Sequence, residues 1–325
     1  MNGVKVGIIG IGNMGSAHLR MITGGNIPDM TVTAVCDINP ERLKAAKAEY
    51  PDIAAFGDYT ELLKSSDTDA VIIAVPHPLH AKIAIEAFEY GKHVLVEKPM
   101  DITVSAAEKL CAAARKSGKV FAVMFNQRTN GLFREARRIV NSGELGELKR
   151  SVWIITNWYR TQSYYDSGSW RATWRGEGGG VLLNQAPHNL DIWQWICGKP
   201  SAVTAFCSVG KFHNIEVEDE ATIYAEYENG ATGVFITSTG DCPGTNRLEI
   251  TGTRGKTVLE NGTLKLWKLS EDERDICKNA TEGFVSPETE YSEFTAERED
   301  AHAGILKNFT GAILYGEELL SPGYD

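Results

Sequence analysis

Two short segments of this chain carry side chains able to move a proton, and a third carries the backbone shape that holds a phosphate. In the first, Glu97-Lys98-Pro99 follows the apolar run Val94-Leu95-Val96. An ammonium group there can hydrogen-bond an oxygen and stabilise negative charge developing on it. Proline straight after the lysine restricts the backbone, and in the cis form would aim the amine in one direction. In the second, Gly178-Gly179-Gly180 precedes Asn184, Pro187, His188 and Asp191. Pro187 suits the first turn of a helix, and His188 with Asp191 at i, i+3 would share one face of it. An imidazole beside a carboxylate is a general base tunable to neutral pH. Taken singly, Lys98 reads equally as a surface lysine and His188 as a histidine satisfied by a local cap. Glycines that admit a ligand ahead of His188, and the glycine loop upstream of Lys98, favour the chemical reading of both.

That loop is Gly10-Ile11-Gly12-Asn13-Met14-Gly15, entered directly from the apolar run Lys5-Val6-Gly7-Ile8-Ile9. A strand running into G-x-G-x-x-G is the fingerprint of a dinucleotide-binding βαβ unit. The first glycine allows the tight turn, the second a close approach of a pyrophosphate, and the third close packing of the next helix. An acidic residue should then end the following strand, and Asp37 ends Thr31-Val32-Thr33-Ala34-Val35-Cys36. Its carboxylate would accept both hydroxyls of an adenosine ribose and repel a 2′-phosphate. NAD is therefore expected over NADP, with Arg42 as the nearest cation that could favour the phosphate.

These residues need elements to hold them. Up to residue 125 the pattern alternates strands (Val4–Ile9, Thr31–Cys36, Ala54–Phe56, Ala70–Val75, His93–Val96, Val120–Phe125) with helices such as Glu41–Glu49, His80–Tyr90 and Ser105–Ser117. Such alternation predicts a doubly wound α/β Rossmann sheet of parallel strands, whose carboxyl ends face the ligand crevice and so receive Lys98. From residue 126 the pattern changes: a helix over Arg128–Ser142, a strand over Leu148–Asn157, a helix over Pro187–Cys197, then alternating strands joined across Asn229-Gly230 and Asn261-Gly262. Asn-Gly between such runs signals hairpins, so residues 126–325 are expected to form an α+β domain on an open, mostly antiparallel sheet. Phe235, Trp153 and Trp267 could lie on a bare sheet face or equally under helices. A bare face would seek a partner subunit, giving a homodimer or homotetramer through the C-terminal sheet. Ser270–Glu299, rich in charge, reads as a surface excursion.

Between residues 157 and 175 lie Trp158, Tyr159, Arg160, Tyr164, Tyr165, Asp166, Trp170, Arg171, Trp174 and Arg175. Aromatic faces pack on the C–H faces of a sugar ring while Arg, Asp and Tyr bond its hydroxyls, although a subunit contact would use the same residues. His18 is expected to pack or cap near the cofactor, His80 to cap a helix, and His77 to face the nicotinamide side. No chemistry is assigned to His93, His213 or His302, and no metal-ligand spacing such as H-E-x-x-H is present, so no metal site is expected.

Bulk properties narrow the classes. A net charge of −10 without a Lys/Arg cluster argues against a nucleic-acid or anionic-membrane surface. No apolar run approaches the roughly 20 residues that span a bilayer, and the first strand begins too early to leave room for a signal peptide. Six cysteines without a C-x-x-C pair fit reduced thiols, and the expected location is the cytoplasm.

The ordered motifs Gly10–Gly15, Ala74-Val75-Pro76 with His80, Glu97-Lys98-Pro99, Asn126-Gln127-Arg128, the Gly178–Asp191 block and Val217-Glu218-Asp219-Glu220 resemble, over the whole length, the glucose-fructose oxidoreductase/inositol dehydrogenase (Gfo/Idh/MocA) family. The resemblance implies an NAD(P)-dependent enzyme that transfers hydride between a secondary carbinol of a sugar, glycoside or cyclitol and the nicotinamide. It implies Lys98 and His188 as catalytic residues. Gly10, Gly12, Asn13, Met14, Gly15, Asp37, Ala74, Pro76, His80, Glu97 and Lys98 would face the cofactor, and Asn126, Arg128, Trp170, Arg171, Trp174, Asn184, His188 and Asp191 the substrate. One departure stands out: many members carry Asp four residues before the histidine, where this chain has Asn184. Relatives also tend to continue beyond the last segment, which leaves Asp325 open as a terminus. Two rival readings share the fold: a redox-assisted glycosidase with tightly held NAD, and a non-catalytic NAD-binding sensor.

Overall fold

A computed structural model describes residues 3–65, 67–297 and 301–324. The chain forms two compact units, one of Met1–Asn126, Gly176–Gly178 and Asp300–Asp325, the other of Gln127–Arg175 and Gly179–Glu299.

The first unit is built on six parallel strands: β1 (Val4–Ile9), β2 (Met30–Cys36), β3 (Ala54–Phe56), β4 (Ala70–Ile73), β5 (His93–Val96) and β6 (Phe121–Val123), in the order β3-β2-β1-β4-β5-β6. Between them run α1 (Asn13–Thr23), α2 (Pro40–Glu49), α3 (Tyr59–Lys64), α4 (His80–Glu89) and α5 (Val104–Ser117). The central strands are apolar on both faces because helices cover both. α1 buries Gly15, His18, Leu19 and Ile22, the i, i+3, i+4, i+7 stripe of a core-facing helix. α2 starts where Asn39 accepts the Glu41 N–H ahead of Pro40, and α5 where Thr103 accepts the Ala106 N–H. The reversal of strand order between β1 and β4 is the switch point at which ligands bind such sheets.

The second unit carries an eight-stranded sheet of β7 (Leu148–Ile155), β8 (Ala202–Val209), β9 (Glu218–Glu226), β10 (Thr232–Ser238), β11 (Asn246–Gly252), β12 (Gly255–Glu260), β13 (Thr263–Leu269) and β14 (Thr289–Phe294), ordered β14-β13-β12-β11-β7-β10-β9-β8. All neighbours are antiparallel except β7 and β10. Both Asn-Gly pairs turn hairpins, β9 into β10 and β12 into β13. Its helices are α6 (Gly131–Asn141), α7 (Gln162–Asp166), α8 (Pro187–Cys197) and α9 (Glu273–Asn279).

Several expectations are corrected. The helix expected over Arg128–Ser142 is a 3₁₀ turn followed by α6, because the Asn130 side chain accepts the N–H groups of Leu132 and Phe133 and so starts a new helix. β4 stops at Ile73, ahead of Pro76, which has no N–H for the ladder. Ser270–Glu299 is more than a surface excursion: α9 is capped by Asp272, and β14 forms the sheet edge, exposed enough that its sequence stays polar. Trp153 and Phe235 are fully buried beneath α6 and α8, with Phe133 at 5.7 Å from Trp153 and Trp193 at 5.5 Å from Phe235 between ring centres. Trp267 alternates to the other face, beside Lys256 and Tyr291. That face is uncovered over Val152, Ile154, Val234, Ile236, Tyr224 and Phe206, the last 75% exposed.

The chain's last helix, α10 (Ala301–Tyr315), lies outside the second unit that the sequence boundary at 125/126 would give it. Ile305, Leu306 and Phe309 join the core beneath β1, and Pro322 bridges to Ala122. A mainly apolar helix carries no signal of which sheet it will cover. Among the described residues no helix is long and apolar enough to cross a membrane.

Candidate active site

The glycine loop has the form of a cradle. Gly10 sits at φ 88°, and a Cβ there would lie 2.6 Å from the Ala74 carbonyl oxygen. At Gly15 a Cβ would stand 1.8 Å from the Gly10 oxygen, so only glycine lets α1 approach β1 this closely. Gly12 meets nothing nearer than Arg42 Nη1 at 3.8 Å, and α1 starts above that space with no side-chain cap. Uncapped first-turn N–H groups, including those of Asn13 and Met14, attract an anion such as a pyrophosphate. Asp37, buried at the end of β2, accepts the N–H of Ile11 at 2.9 Å and of Asn39 at 2.8 Å, with Arg42 Nη1 at 3.3 Å. It therefore braces the loop itself, a role the sequence did not suggest. A carboxylate has about four acceptor positions, which leaves room for a ribose hydroxyl.

Lys98 follows β5 and is half-buried; the peptide to Pro99 is cis. Burial lowers its pKa, while the carboxylates of Glu97 and Glu177 pull upward. Glu97 is buried and bonded to His18 Nε2 at 2.7 Å; the His302 ring packs edge-on to His18, and Asn126 Nδ2 lies 2.9 Å from His302 Nε2. Burial would push the Glu97 carboxyl up, but the His18 bond and the charges of His18, His302 and Lys98 hold it below its usual range. His80 is fully buried, its ring nitrogens on the carbonyls of Pro99 at 2.7 Å and Val75 at 2.8 Å. It clamps the loops after β4 and β5, including Ala74 and Pro76, instead of presenting its ring as a simple cap. His77 donates from Nδ1 to the Glu177 carbonyl at 3.1 Å.

Burial lowers the pKa of three of these histidines, in His77 and His80 against the opposing pull of the carbonyls they bond. Burial lowers His77 to about 4 and His93 to about 4, and His80 also shifts downward for the same reason. His93 Nδ1 accepts the Val120 N–H at 2.9 Å, which only an unprotonated nitrogen can do. Their folded pKa lies below the ordinary 6.5, so on acidification the unfolded chain binds protons first and stability falls. The midpoint of thermal unfolding is expected to drop steadily from pH 6.5 to about 4. A midpoint flat across that window would contradict this placement of the histidines.

In the second unit the block bearing His188 is latched by Glu218. Its carboxylate accepts the N–H of Gly180 at 2.9 Å and of Leu182 at 3.1 Å, and its carbonyl accepts Val181 N–H at 2.8 Å. A Cβ on Gly180 would be 1.8 Å from that carbonyl oxygen, which explains a glycine here. Pro187 opens α8, placing His188, half-buried, in its first turn. Tyr164 Oη receives Arg171 Nη1 at 2.8 Å, Gln185 Nε2 at 3.3 Å and Asn184 Nδ2 at 3.4 Å, tying the aromatic loop to the His188 block. Arg171 also lies over the rings of Tyr164 and Trp170. Trp170 and Trp174 are exposed. Arg128 and Asp191 form a buried fork, Nε to Oδ2 at 2.9 Å and Nη2 to Oδ1 at 2.6 Å.

Lys98 thus belongs to the first unit with Asn126, Glu97 and His80, and His188 to the second with Asn184, Arg128, Asp191, Trp170, Arg171 and Trp174. Sequence reasoning put His18 near the cofactor, Tyr164 in the aromatic loop and Glu218 in a motif but gave none of them its partner, and it did not single out Glu177. His18 alone left a local signal, its place on the buried stripe of α1.

Two family models match this chain: the oxidoreductase family, NAD-binding Rossmann fold, over residues 4–125, and the GFO/IDH/MocA C-terminal domain over residues 133–258. Levoglucosan dehydrogenase of Pseudarthrobacter phenanthrenivorans is 28% identical, over 80% of this chain and 74% of its own length. Myo-inositol 2-dehydrogenase of Thermotoga maritima is 24% identical over 99% of this chain and 92% of its own. Among solved structures, the WlbA dehydrogenase from Chromobacterium violaceum, in complex with NADH and UDP-GlcNAcA, superposes with a TM-score of 0.83 at 26% identity, covering 99% of this chain and 89% of that one. With its glycine cradle, its Rossmann strand order and both domains matched, the chain belongs to the GFO/IDH/MocA family of NAD-binding oxidoreductases.

Proposed function

We propose that this oxidoreductase is an NAD-dependent dehydrogenase acting on a secondary carbinol of a sugar, glycoside or cyclitol. The observation that carries the reading is Lys98, half-buried at the carboxyl end of β5 in the cofactor-binding unit, with its ammonium form disfavoured by burial. Relatives named for inositol and levoglucosan support the substrate class. They are dehydrogenases, which gives the glycosidase and sensor readings no support.

Gly10–Gly15 and Asp37 would hold the cofactor, whose nicotinamide supplies a hydride acceptor when bound. Lys98 hydrogen-bonds the substrate oxygen and stabilises its developing charge; His188 takes the hydroxyl proton. Asn184, an amide, cannot take up a proton, so it orients substrate or imidazole only. Incubating the protein with NAD and a panel of cyclitols, free sugars and glycosides, and following NADH absorbance, tests the reading. NADH should form with at least one of them, and none forming would reject it.

Asp37 supports NAD over NADP, since a 2′-phosphate would be set against its carboxylate. Arg42 is 3.3 Å away but half-exposed, so solvent screens its attraction for a phosphate. kcat/KM is expected to favour NAD, and Asp37→Ser to narrow the ratio by about tenfold or more. An NADP preference in the unaltered protein would refute it.

The uncovered sheet face, with Phe206 and Tyr224 exposed on it, supports self-association into a dimer or tetramer. Sedimentation should give a multiple of 35.6 kDa that Phe206→Asp lowers. A monomer in the unaltered protein would dismiss this face as an interface.

A further inference from the structure

We propose that the substrate site extends into a second, neutral-sugar subsite lined by Asp166, Ser169, Arg171, Asn214 and Glu216, making a neutral glycoside the preferred substrate over a free hexose, a cyclitol or a sugar nucleotide. This rests on the dehydrogenase reading and adds to it the size and charge of the substrate.

The second unit contains an open, solvent-facing recess of about 570 Å³ between the segment from Tyr165 to Thr173 and the loop Asn214–Glu216. Small-molecule sites typically measure roughly 300–1,000 Å³, so a whole sugar ring can be admitted. The lining is polar in the way a ring of hydroxyls requires. Asp166 Oδ1 is occupied by Gln162 Nε2 at 2.9 Å, and Glu216 Oε1 by the Trp174 N–H at 2.7 Å. Each carboxylate is thereby held in place while its second oxygen keeps lone pairs for a hydroxyl donor. Arg171 brings donors to the opposite side of the balance, its guanidinium centre 4.6 Å from the Trp170 ring and 4.5 Å from that of Tyr164. A guanidinium lying over two rings and bonded to Tyr164 Oη loses little further freedom on bonding a ligand.

Position links this cavity to the chemistry. Arg171, in its wall, bonds Tyr164 Oη, and the same hydroxyl receives Asn184 and Gln185, which stand four and three residues ahead of His188. Hydrogen bonds through Tyr164 thus join the wall of the cavity to the loop that carries His188, and the proposal sets the substituent of the substrate along that connection. Charge decides which substituent. Two carboxylates against one guanidinium leave the lining one charge negative, a repulsion for anions that is modest because Asp166 and Glu216 are exposed and screened by solvent. A diphosphate or carboxylate group is repelled, whereas a neutral ring satisfies acceptors and donor alike.

The test compares kcat/KM, with NAD, for glucose, myo-inositol, cellobiose, maltose, phenyl glucoside and UDP-glucose. At least one neutral glycoside is expected to exceed both glucose and inositol by about tenfold or more, with UDP-glucose the poorest. Glu216→Gln and Asp166→Asn, which keep shape and remove charge, should each cut the glycoside-to-glucose ratio by about fivefold, mostly through KM. Equal or better use of glucose or inositol, preference for UDP-glucose, or an unmoved ratio in both variants would overturn the subsite. Saturation-transfer NMR on the NADH-loaded protein gives an answer independent of turnover. Contacts to both rings of cellobiose or maltose, weakened in Glu216→Gln, support the subsite even if no sugar reduces NAD; contacts to one ring, or to none, reject it.

Discussion

Lys98→Ala is expected to lower kcat by a factor of about 10² or more while leaving NADH binding nearly intact. The lysine stands past the end of β5, next in the chain to Glu97 of the buried Glu97–His18 pair, and lies outside the glycine cradle on β1 and α1. On the proposed mechanism, loss of its side chain removes a donor that acts on charge appearing only as the hydroxyl proton departs. The effect therefore falls on kcat and kcat/KM together, with the dissociation constant for NADH, read by fluorescence titration, changed little. His188→Ala should show the same split, since the first turn of α8 belongs to the second unit and the glycine cradle to the first. Near-normal turnover in either variant would remove that residue from the mechanism, and loss of NADH binding would make its role structural.

Arg128→Ala is expected to cost about 3–5 kcal/mol of stability, because breaking a buried ion pair strands the partner charge. The Arg128 and Asp191 side chains are 3% and 8% exposed and meet through two parallel hydrogen bonds. Arg128 and Arg137 also lie over Trp195, so the pair is packed as well as charged. Both residues resemble substrate ligands in sequence, yet each meets the other here. Urea denaturation would give the cost directly. The double variant Arg128→Met with Asp191→Leu should recover most of it by removing both charges at once. A single variant as stable as the unaltered protein, with only KM raised, would return Arg128 to a purely substrate-binding role.

Local signals account for what could be read in the sequence. The glycine loop with Asp37, the strands β1 and β5, the helix α8 behind Pro187 and both Asn-Gly hairpins are each specified within a dozen residues by turn chemistry and apolar periodicity. What stayed hidden depends on partners far along the chain. His18 meets Glu97 across 79 residues, Glu218 latches Gly180 across 38, and Arg128 finds Asp191 across 63. No spacing rule links such positions. β14 escaped notice because an edge strand is largely exposed and so lacks an apolar face. The last helical pattern, around His302, is α10; the sheet it covers was not legible because its apolar surface fits either, and its packing on the first is decided by tertiary contacts alone.

The central claim is hydride transfer from a sugar carbon to NAD, and the most direct test follows that hydrogen. The protein is incubated with NAD and the best neutral substrate of the panel, deuterated at its ring carbinol carbons, and the cofactor is examined by proton NMR. Deuterium should appear at nicotinamide C4 of the reduced cofactor, matched by a ketone in the sugar, and should accumulate about 10²-fold more slowly with Lys98→Ala. Aglycone released with no deuterium accumulating in NADH, or tight NADH binding with no transfer from any sugar, would contradict the account.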